Sequence, residues 1–251
     1  MDADRLLECL SQDYQRLQEV VALDPKAPVP TCPGWTVTDL TRHVAEVYLH
    51  KTEAMRTGVE PEAWPPPTPA DESPAALLER AYADLRVELD SRRPSDPAGT
   101  WYTPDQTVGF WIRRMAHETV IHRVDAELAT RRSVAAIPDD LAVDGIDELL
   151  RVFVAYSVAE WGDYFTDLLD DAPPATFALQ TARAAWQVST GPGLFAVTDG
   201  EPSDPDVTIA GAPPHLLRWM WNRDTDPSGV TVDGSPDSVQ TLRRVVATAT
   251  Q

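Results

Sequence analysis

Two histidines and a glutamate in one short segment are the residues of this chain best suited to chemistry. The segment RRMAHETVIHRVDAE contains His117, Glu118 and His122. Its spacing departs from the zinc-protease motif, in which two histidines on one helix face share an ion with a glutamate between them. His117 and His122 are too far apart in sequence for this, since at about 100° per residue they point about 140° apart around a helix. These two histidines are therefore not expected to share an ion.

Glu118 and His122, by contrast, predict a chelating pair. They lie one helical turn apart, so their side chains stand on one face, separated by about 40°. A catalytic ion usually takes three protein ligands and keeps one position open, so a third ligand must come from another element. His43 lies on or beside the apolar face of TVTDLTRHVAEVYLH and can point into a helical core, as ligands in helix bundles do. His50, further along the same segment, is the rival third ligand.

Other side chains are candidates for supporting roles, although each also has a purely structural reading. Asp125, just beyond His122, can orient its ring nitrogen, but an exposed carboxylate would show the same spacing. An inward histidine is often only a core residue, and a glutamate and histidine one turn apart are often only a surface pair. Aromatic residues that can line a pocket are Trp35, Trp101, Tyr102 and Trp111, and arginines that can meet a substrate carboxylate are Arg113 and Arg114.

Helices are predicted to position these residues. The apolar period, the prolines and the capping signals indicate helices over about 4–23, 37–56, 74–92 and 107–130, and a fifth from Pro138 to about Trp161. Thr36 and Asp39 resemble a capping box, and Ser73 before Pro74 is a favourable helix start. The first domain, residues 1–170, is thus predicted to be a helical bundle.

Beyond DDAPPA the pattern changes to short runs rich in Val, Thr, Phe and Trp between Gly, Pro and Asp. These runs predict strands at ATFALQTA, AAWQVST, LFAVTD, DVTIAG and GVTVDG, with helices at PPHLLRWMWNR and PDSVQTLRRVVATA. The predicted second domain, residues 171–251, is therefore a small α+β unit. The predicted fold class is thus a helical bundle of four or five helices followed by a small α+β domain.

Composition excludes several classes of function. A formal net charge of -19 over 251 residues disfavours nucleic acid and anionic membrane surfaces as partners. The acidic N-terminus is unlike a secretory signal, and no apolar run is long enough to span a bilayer, so a cytoplasmic location is expected. Cys9 and Cys32 show no partner pattern, so neither a disulfide framework nor a cysteine-rich zinc site is indicated.

Two motifs resemble a known family. PTCPGWTVTDLTRHVAE and FWIRRMAHETVIHRVDAEL are similar to two signatures of the mycothiol-dependent maleylpyruvate isomerase family, a branch of the DinB-like metalloenzyme superfamily. That family joins a DinB-like helical bundle to a small α+β domain similar to sterol-carrier domains. LLRWMWNR followed by VTVDG resembles this second domain, so the likeness extends over the whole chain.

The resemblance implies a metal site, a thiol and a reaction class. The family's ligands fall on His43, Glu118 and His122, and a basic residue of its C-terminal domain falls on Arg223 in WNRD. A divalent zinc-type ion and mycothiol are the implied cofactors, and a small molecule is the implied substrate. Both cis-trans isomerisation and thiol S-transfer are compatible with this site. A non-catalytic binding module and a metal-dependent hydrolase that activates water are the alternatives.

Overall fold

The computed structural model describes residues 1–223 and 227–250, and the chain divides into two compact units, Met1–Ala135 and Ala136–Gln251. The helical N-terminal region and the small α+β region that the sequence predicts are both confirmed. The helices of the first unit are α1 (Ala3–Val21), α2 (Val37–Thr57), α3 (Pro74–Ser91) and α4 (Val108–Ala129). Each boundary lies within a residue or two of its predicted position.

Side-chain caps explain why these helices begin where they do. The side chains of four N-cap residues accept a hydrogen bond from a backbone N–H in the first turn, namely Asp2, Thr36, Ser73 and Thr107. Thr36 and Asp39 form the predicted capping box, in which each side chain bonds to the backbone of the other. Gly58, in the left-handed conformation at φ 73°, ends α2. The start of α2, and hence the position of His43, is therefore well defined.

The fourth helix is the central element of the first unit. It packs against α1 and α2, while α2 also packs against α3. Most of its side chains are buried, and these include the charged residues Arg123, Asp125 and Glu127, whose exposed fraction is 0%. Buried charges need partners inside the protein, so α4 is the element on which a polar site is built.

The second unit contains short helices and one mixed sheet. The helical elements are α5 (Asp139–Glu148), a π-helical segment (Leu149–Ala155), α6 (Tyr156–Glu160), α7 (Thr166–Leu169), α8 (Pro213–Met220) and α9 (Pro236–Ala249), with 3-10 turns at Gly162–Tyr164 and Pro227–Gly229. The strands are β1 (Ala175–Gln180), β2 (Ala185–Gly191), β3 (Leu194–Asp199), β4 (Val207–Gly211) and β5 (Val230–Gly234). All five strands and both C-terminal helices lie where the sequence predicts them.

The sheet has the strand order β3-β2-β1-β4-β5. Strand β1 pairs in parallel with β4, while the other pairs are antiparallel. Phe177 and Leu179 of β1 are buried opposite Val188 and Trp186 of β2, so one face of the sheet carries the core of the unit.

The division between the units lies earlier than the predicted domain limit at residue 170. Helix α5 packs against α8, and the π-helical segment that continues α5 contacts β3 and α9. The predicted fifth helix therefore belongs to the second unit rather than to the bundle. None of the helices within the described residues is both long and apolar enough to cross a membrane.

Candidate metal centre

Helices α2 and α4 bring His43, Glu118 and His122 together. The Nε2 atoms of His122 and His43 lie 3.1 Å and 3.5 Å from the same oxygen, Oε1 of Glu118. One ligand atom from each of the three residues lies within 4.8 Å of the other two. Two imidazole nitrogens and a carboxylate oxygen at this separation are a donor set that a divalent transition metal can use. The three side chains therefore lie close together, and their role as metal ligands stays a prediction.

The centre is partly open to solvent. The side chain of His43 is 27% exposed, against 16% for Glu118 and 11% for His122. A small molecule can therefore approach from the side of His43, while Glu118 and His122 of α4 lie deeper. This asymmetry fits a site that keeps a position for an exogenous ligand.

Charge and burial act against each other at the ligands. Burial alone raises the pKa of Glu118, but His122, His43 and Arg114 outweigh it and hold that pKa well below its usual value. Burial lowers the pKa of His122, whereas the carboxylates of Glu118 and Asp125 raise it to about 9. The two carboxylates thus stabilise the protonated form of His122. A cation that binds this ring at neutral pH must therefore displace a proton.

Asp125 fixes the orientation of the His122 ring. Its Oδ2 lies 3.0 Å from Nδ1 of His122, which directs Nε2 of the same ring towards Glu118. The hydroxyl of Thr31 donates to the other oxygen, Oδ1, from the loop before α2. The proposed orienting role of Asp125 therefore has a geometric basis, and its carboxylate is itself held by a neighbour.

Arg114 controls the second oxygen of Glu118. Its Nη2 lies 3.2 Å from Oε2, while Oε1 faces the two histidines. The Arg114 side chain is buried, at 4% exposure. Glu118 is therefore arranged to offer one oxygen, not two, to an ion.

Two indole rings border the centre. The ring of Trp35 lies 4.8 Å from that of His43 and 6.5 Å from that of His122. Trp64 lies edge-on to His43 at 5.8 Å and is 52% exposed. The sequence indicated Trp35 but missed Trp64, because the proline-rich loop that carries it has no periodic pattern from which its path could be predicted.

The other aromatic candidates lie in packing positions. Trp111 is fully buried, and its Nε1 donates to the carbonyl of Gly99 at 2.9 Å. The rings of Trp101 and Tyr102 pack on Phe110 at the start of α4. Trp111 therefore belongs to the core, whereas Trp101 and Tyr102 are partly exposed and pack at the start of α4.

His50, the alternative third ligand, and His117 both lie outside the group formed by His43, Glu118 and His122. Nε2 of His50 lies 3.0 Å from the carbonyl of Pro61, which ties α2 to the following loop. His117 is buried on α4, at 2% exposure, and is not part of the three-residue group. The angular argument from the sequence therefore agrees with the geometry.

Arg223 lies in the second unit, shortly after α8. Its Nη1 donates to the carbonyl of Trp221 at 2.6 Å, and its guanidinium lies 5.6 Å from the centre of the Trp221 ring. These contacts hold the side chain against the end of α8. Its assignment to the reaction stays a prediction.

Comparisons with known proteins cover nearly the whole chain. The family described as "Mycothiol maleylpyruvate isomerase N-terminal domain" matches residues 7–127, and that described as "MDMPI C-terminal domain" matches residues 140–241. Curated proteins gave no significant match.

Among solved structures, a mycothiol-dependent maleylpyruvate isomerase is similar, with a TM-score of 0.64 at 16% sequence identity, covering 94% of this chain and 96% of that one. A histidine-to-alanine mutant of a mycothiol-dependent maleylpyruvate isomerase is similar as well, with a TM-score of 0.63 at 15% identity and the same coverage of both chains. At this level of identity the likeness shows a shared fold.

Proposed function

Since the chain belongs to the mycothiol-dependent maleylpyruvate isomerase family, we propose that it is a metal- and mycothiol-dependent enzyme acting on a small electrophile. The reaction is cis-trans isomerisation or thiol S-transfer. The observation that carries the proposal is the convergence of His43, Glu118 and His122 on one partly open point between α2 and α4.

The donor set fits a zinc-type ion. Two neutral imidazoles and one carboxylate leave room for a fourth ligand in a tetrahedral site. Arg114 occupies the second oxygen of Glu118, which favours ligation through a single oxygen. In the proposed centre, His43, Glu118 and His122 hold the ion, and Asp125 orients His122.

An ion held by His43, Glu118 and His122 would supply an activated thiol as the nucleophile. A divalent ion lowers the pKa of a coordinating thiol, so the thiol is present as thiolate at neutral pH. Mycothiol bound at such an ion would supply the nucleophile for either reaction, and it would be released unchanged after an isomerisation but would stay in the product of an S-transfer.

Residues of this chain have three further roles in the proposal. Trp35 and Trp64 pack against the ring of His43, the most exposed of the three proposed ligands, and so limit the access of water to it. Arg114 balances the charge of Glu118 in the buried part of the centre. Arg223 of the second unit is the basic residue that the family resemblance assigns to the reaction, and this role stays a prediction.

The test combines elemental analysis with turnover assays on the purified full chain. We expect about one zinc-type ion per chain and conversion of maleylpyruvate only when mycothiol is present. Thiol that is regenerated identifies an isomerase, and thiol that is consumed identifies an S-transferase.

Two outcomes would contradict the proposal. Conversion that proceeds equally well without any thiol would indicate a hydrolase that activates water. A full complement of metal without turnover of maleylpyruvate or of a panel of other electrophiles would favour a non-catalytic binding module.

A further inference from the structure

A second group of potential ligands lies on the far side of the His122 ring. Sγ of Cys32 lies 3.7 Å from Oδ2 of Asp125, and Nδ1 of His122 lies 3.0 Å from the same oxygen. One ligand atom from each of these three residues lies within 4.8 Å of the other two. The group thus offers sulfur, nitrogen and oxygen to a single point.

The elements that carry the group hold it in place and leave it accessible. Asp125 and His122 belong to the buried helix α4, and the Thr31 hydroxyl holds Oδ1 of Asp125 so that Oδ2 faces the other two residues. Cys32 lies in the loop before α2 and is only partly buried, so part of the residue is exposed to solvent. The backbone N–H of Cys32 donates to the carbonyl of Val29 at 3.2 Å, and its own carbonyl accepts from Trp35 at 3.0 Å. The cysteine therefore lies in an ordered turn.

We propose that Cys32, Asp125 and His122 form a second cation site, selective for soft divalent ions such as Cd²⁺. When the cation binds, it replaces the thiol proton of Cys32 and the proton on Nδ1 of His122, and both protons pass to solvent. The proposal does not depend on the reaction proposed above, although both sites use the ring of His122.

The donor atoms explain the selectivity. The centre at His43 offers two nitrogens and an oxygen, whereas the second group replaces one nitrogen by sulfur. Soft ions favour thiolate ligands, while hard ions such as Mg²⁺ favour oxygen. Cd²⁺ is therefore expected at the Cys32 group, and Mg²⁺ is not.

Titration of the metal-free full chain with Cd²⁺ tests the proposal. We expect an ultraviolet sulfur-to-cadmium charge-transfer band that grows until one ion per chain is bound at this site. Cys32→Ser should abolish the band, whereas Cys9→Ser, which changes the buried cysteine of α1, should retain it in full. His43→Ala should also retain the band, which separates this site from the centre proposed above.

A second measurement on the unaltered protein guards against misfolded variants. Bound Cd²⁺ should slow the alkylation of Cys32 by iodoacetamide at least about tenfold, a change of about 1.4 kcal/mol, and the modified peptide is identified by mass spectrometry. Mg²⁺ at the same concentration should leave the rate unchanged. The proposal is overturned if the wild-type chain shows no band, if Cys9→Ser loses it, or if Cd²⁺ leaves the alkylation rate of Cys32 unaltered.

Discussion

The Glu118 carboxylate lies at the middle of the candidate centre, with Oε1 facing His43 and His122 and Oε2 facing Arg114. Its two oxygens therefore have different partners: Oε1 faces the proposed ion, and Oε2 binds the buried guanidinium of Arg114. The two histidines come from different helices, α2 and α4, and both face Oε1 of Glu118. The proposed ion would therefore bind on the Oε1 side of the carboxylate. Loss of either histidine leaves too few donors for stable binding.

The variants His43→Ala and His122→Ala should each lose most of their bound ion while the helical unit still folds. Elemental analysis and circular dichroism measure the two properties on the same samples. His117→Ala is the matched control, because His117 lies on α4 outside the ligand group and should keep its ion. Full occupancy in either ligand variant, or a comparable loss in the control, would refute the assignment.

Asp125→Asn should weaken zinc binding by about 10–100-fold, since the partner that orients a ligating histidine contributes that much to affinity. Competition with a chromophoric chelator gives the dissociation constant. Asp84→Asn on α3, where the aspartate is a partly exposed partner of Arg80, provides a control with the same chemical change. Equal zinc affinity in the two variants would show that Asp125 does not position His122.

Helical geometry was sufficient to predict that Glu118 and His122 share one face of α4, whereas the choice of His43 over His50 as the third ligand came from the family resemblance and stays a prediction. The sequence did not predict the contacts of Thr31 or Cys32 with Asp125. Those contacts depend on the path of the loop before α2, and a loop has no period from which its path can be calculated. Trp64 was missed for the same reason.

At the scale of the elements, a buried ionic network joins α1 to α4. Nε of Arg123 lies 3.0 Å from Oδ1 of Asp13, and its Nη1 lies 2.7 Å from Oε2 of Glu127 and 2.9 Å from the carbonyl of Ala135. Nε of Arg16 on α1 lies 2.9 Å from the other oxygen of Glu127. The network fixes the position of α4 relative to α1 within about one and a half turns beyond His122.

Arg123→Ala should lower the free energy of unfolding by about 3–5 kcal/mol, because it takes away the arginine that binds the buried carboxylate of Asp13 and one of the two arginines that bind Glu127. Chemical denaturation of the full chain measures the change. Arg5→Ala removes an exposed pair with Glu8 on α1 and should cost less than about 1 kcal/mol. Similar losses in the two variants would mean that the buried network contributes no more than a surface pair.

Helix boundaries followed from the sequence because caps act locally. Thr36, Asp39 and Ser73 each bond to backbone atoms a few residues away, so their effect can be predicted without the rest of the fold. The π-helical segment Leu149–Ala155 could not be predicted in this way. Its residues have the same apolar period as an α-helix. The change to hydrogen bonds between residues five apart does not alter that period.

At the scale of the whole molecule, an ion in the candidate centre would join α2 to α4 within the first unit. Side chains far apart in the sequence, His43 and His122, would then be held by a single bridge. A ligand that binds only the folded state stabilises it in proportion to the logarithm of its free concentration. The ion is thus expected to stabilise the first unit.

Removal of the ion by a chelator should lower the thermal midpoint of the protein, and re-addition of Zn²⁺ should restore it. At a free concentration about 100 times the dissociation constant, the ion contributes about 2.7 kcal/mol. Scanning calorimetry measures the shift. The midpoint of His43→Ala should be insensitive to the chelator, and a shift as large as that of the wild type would place the stabilising ion elsewhere.

The division of the chain into units was the least accessible property from the sequence. The segment from Asp139 to Glu160 shows a helical pattern, but a pattern does not reveal which neighbour covers the apolar face. In the structure, α5 packs on α8, whose residues follow much later in the chain. Such a contact between distant segments could only be found once the path of the chain was known.

The position of Trp35 gives the protein a built-in optical reporter. Its indole lies within 4.8 Å and 6.5 Å of the rings of His43 and His122, measured between ring centres. A paramagnetic ion such as Co²⁺ at this distance should quench the emission of Trp35 and of Trp64, whose ring lies 5.8 Å from that of His43, and Trp35→Phe should remove the contribution of Trp35. Occupancy of the centre could then be followed in real time by fluorescence, without any attached label.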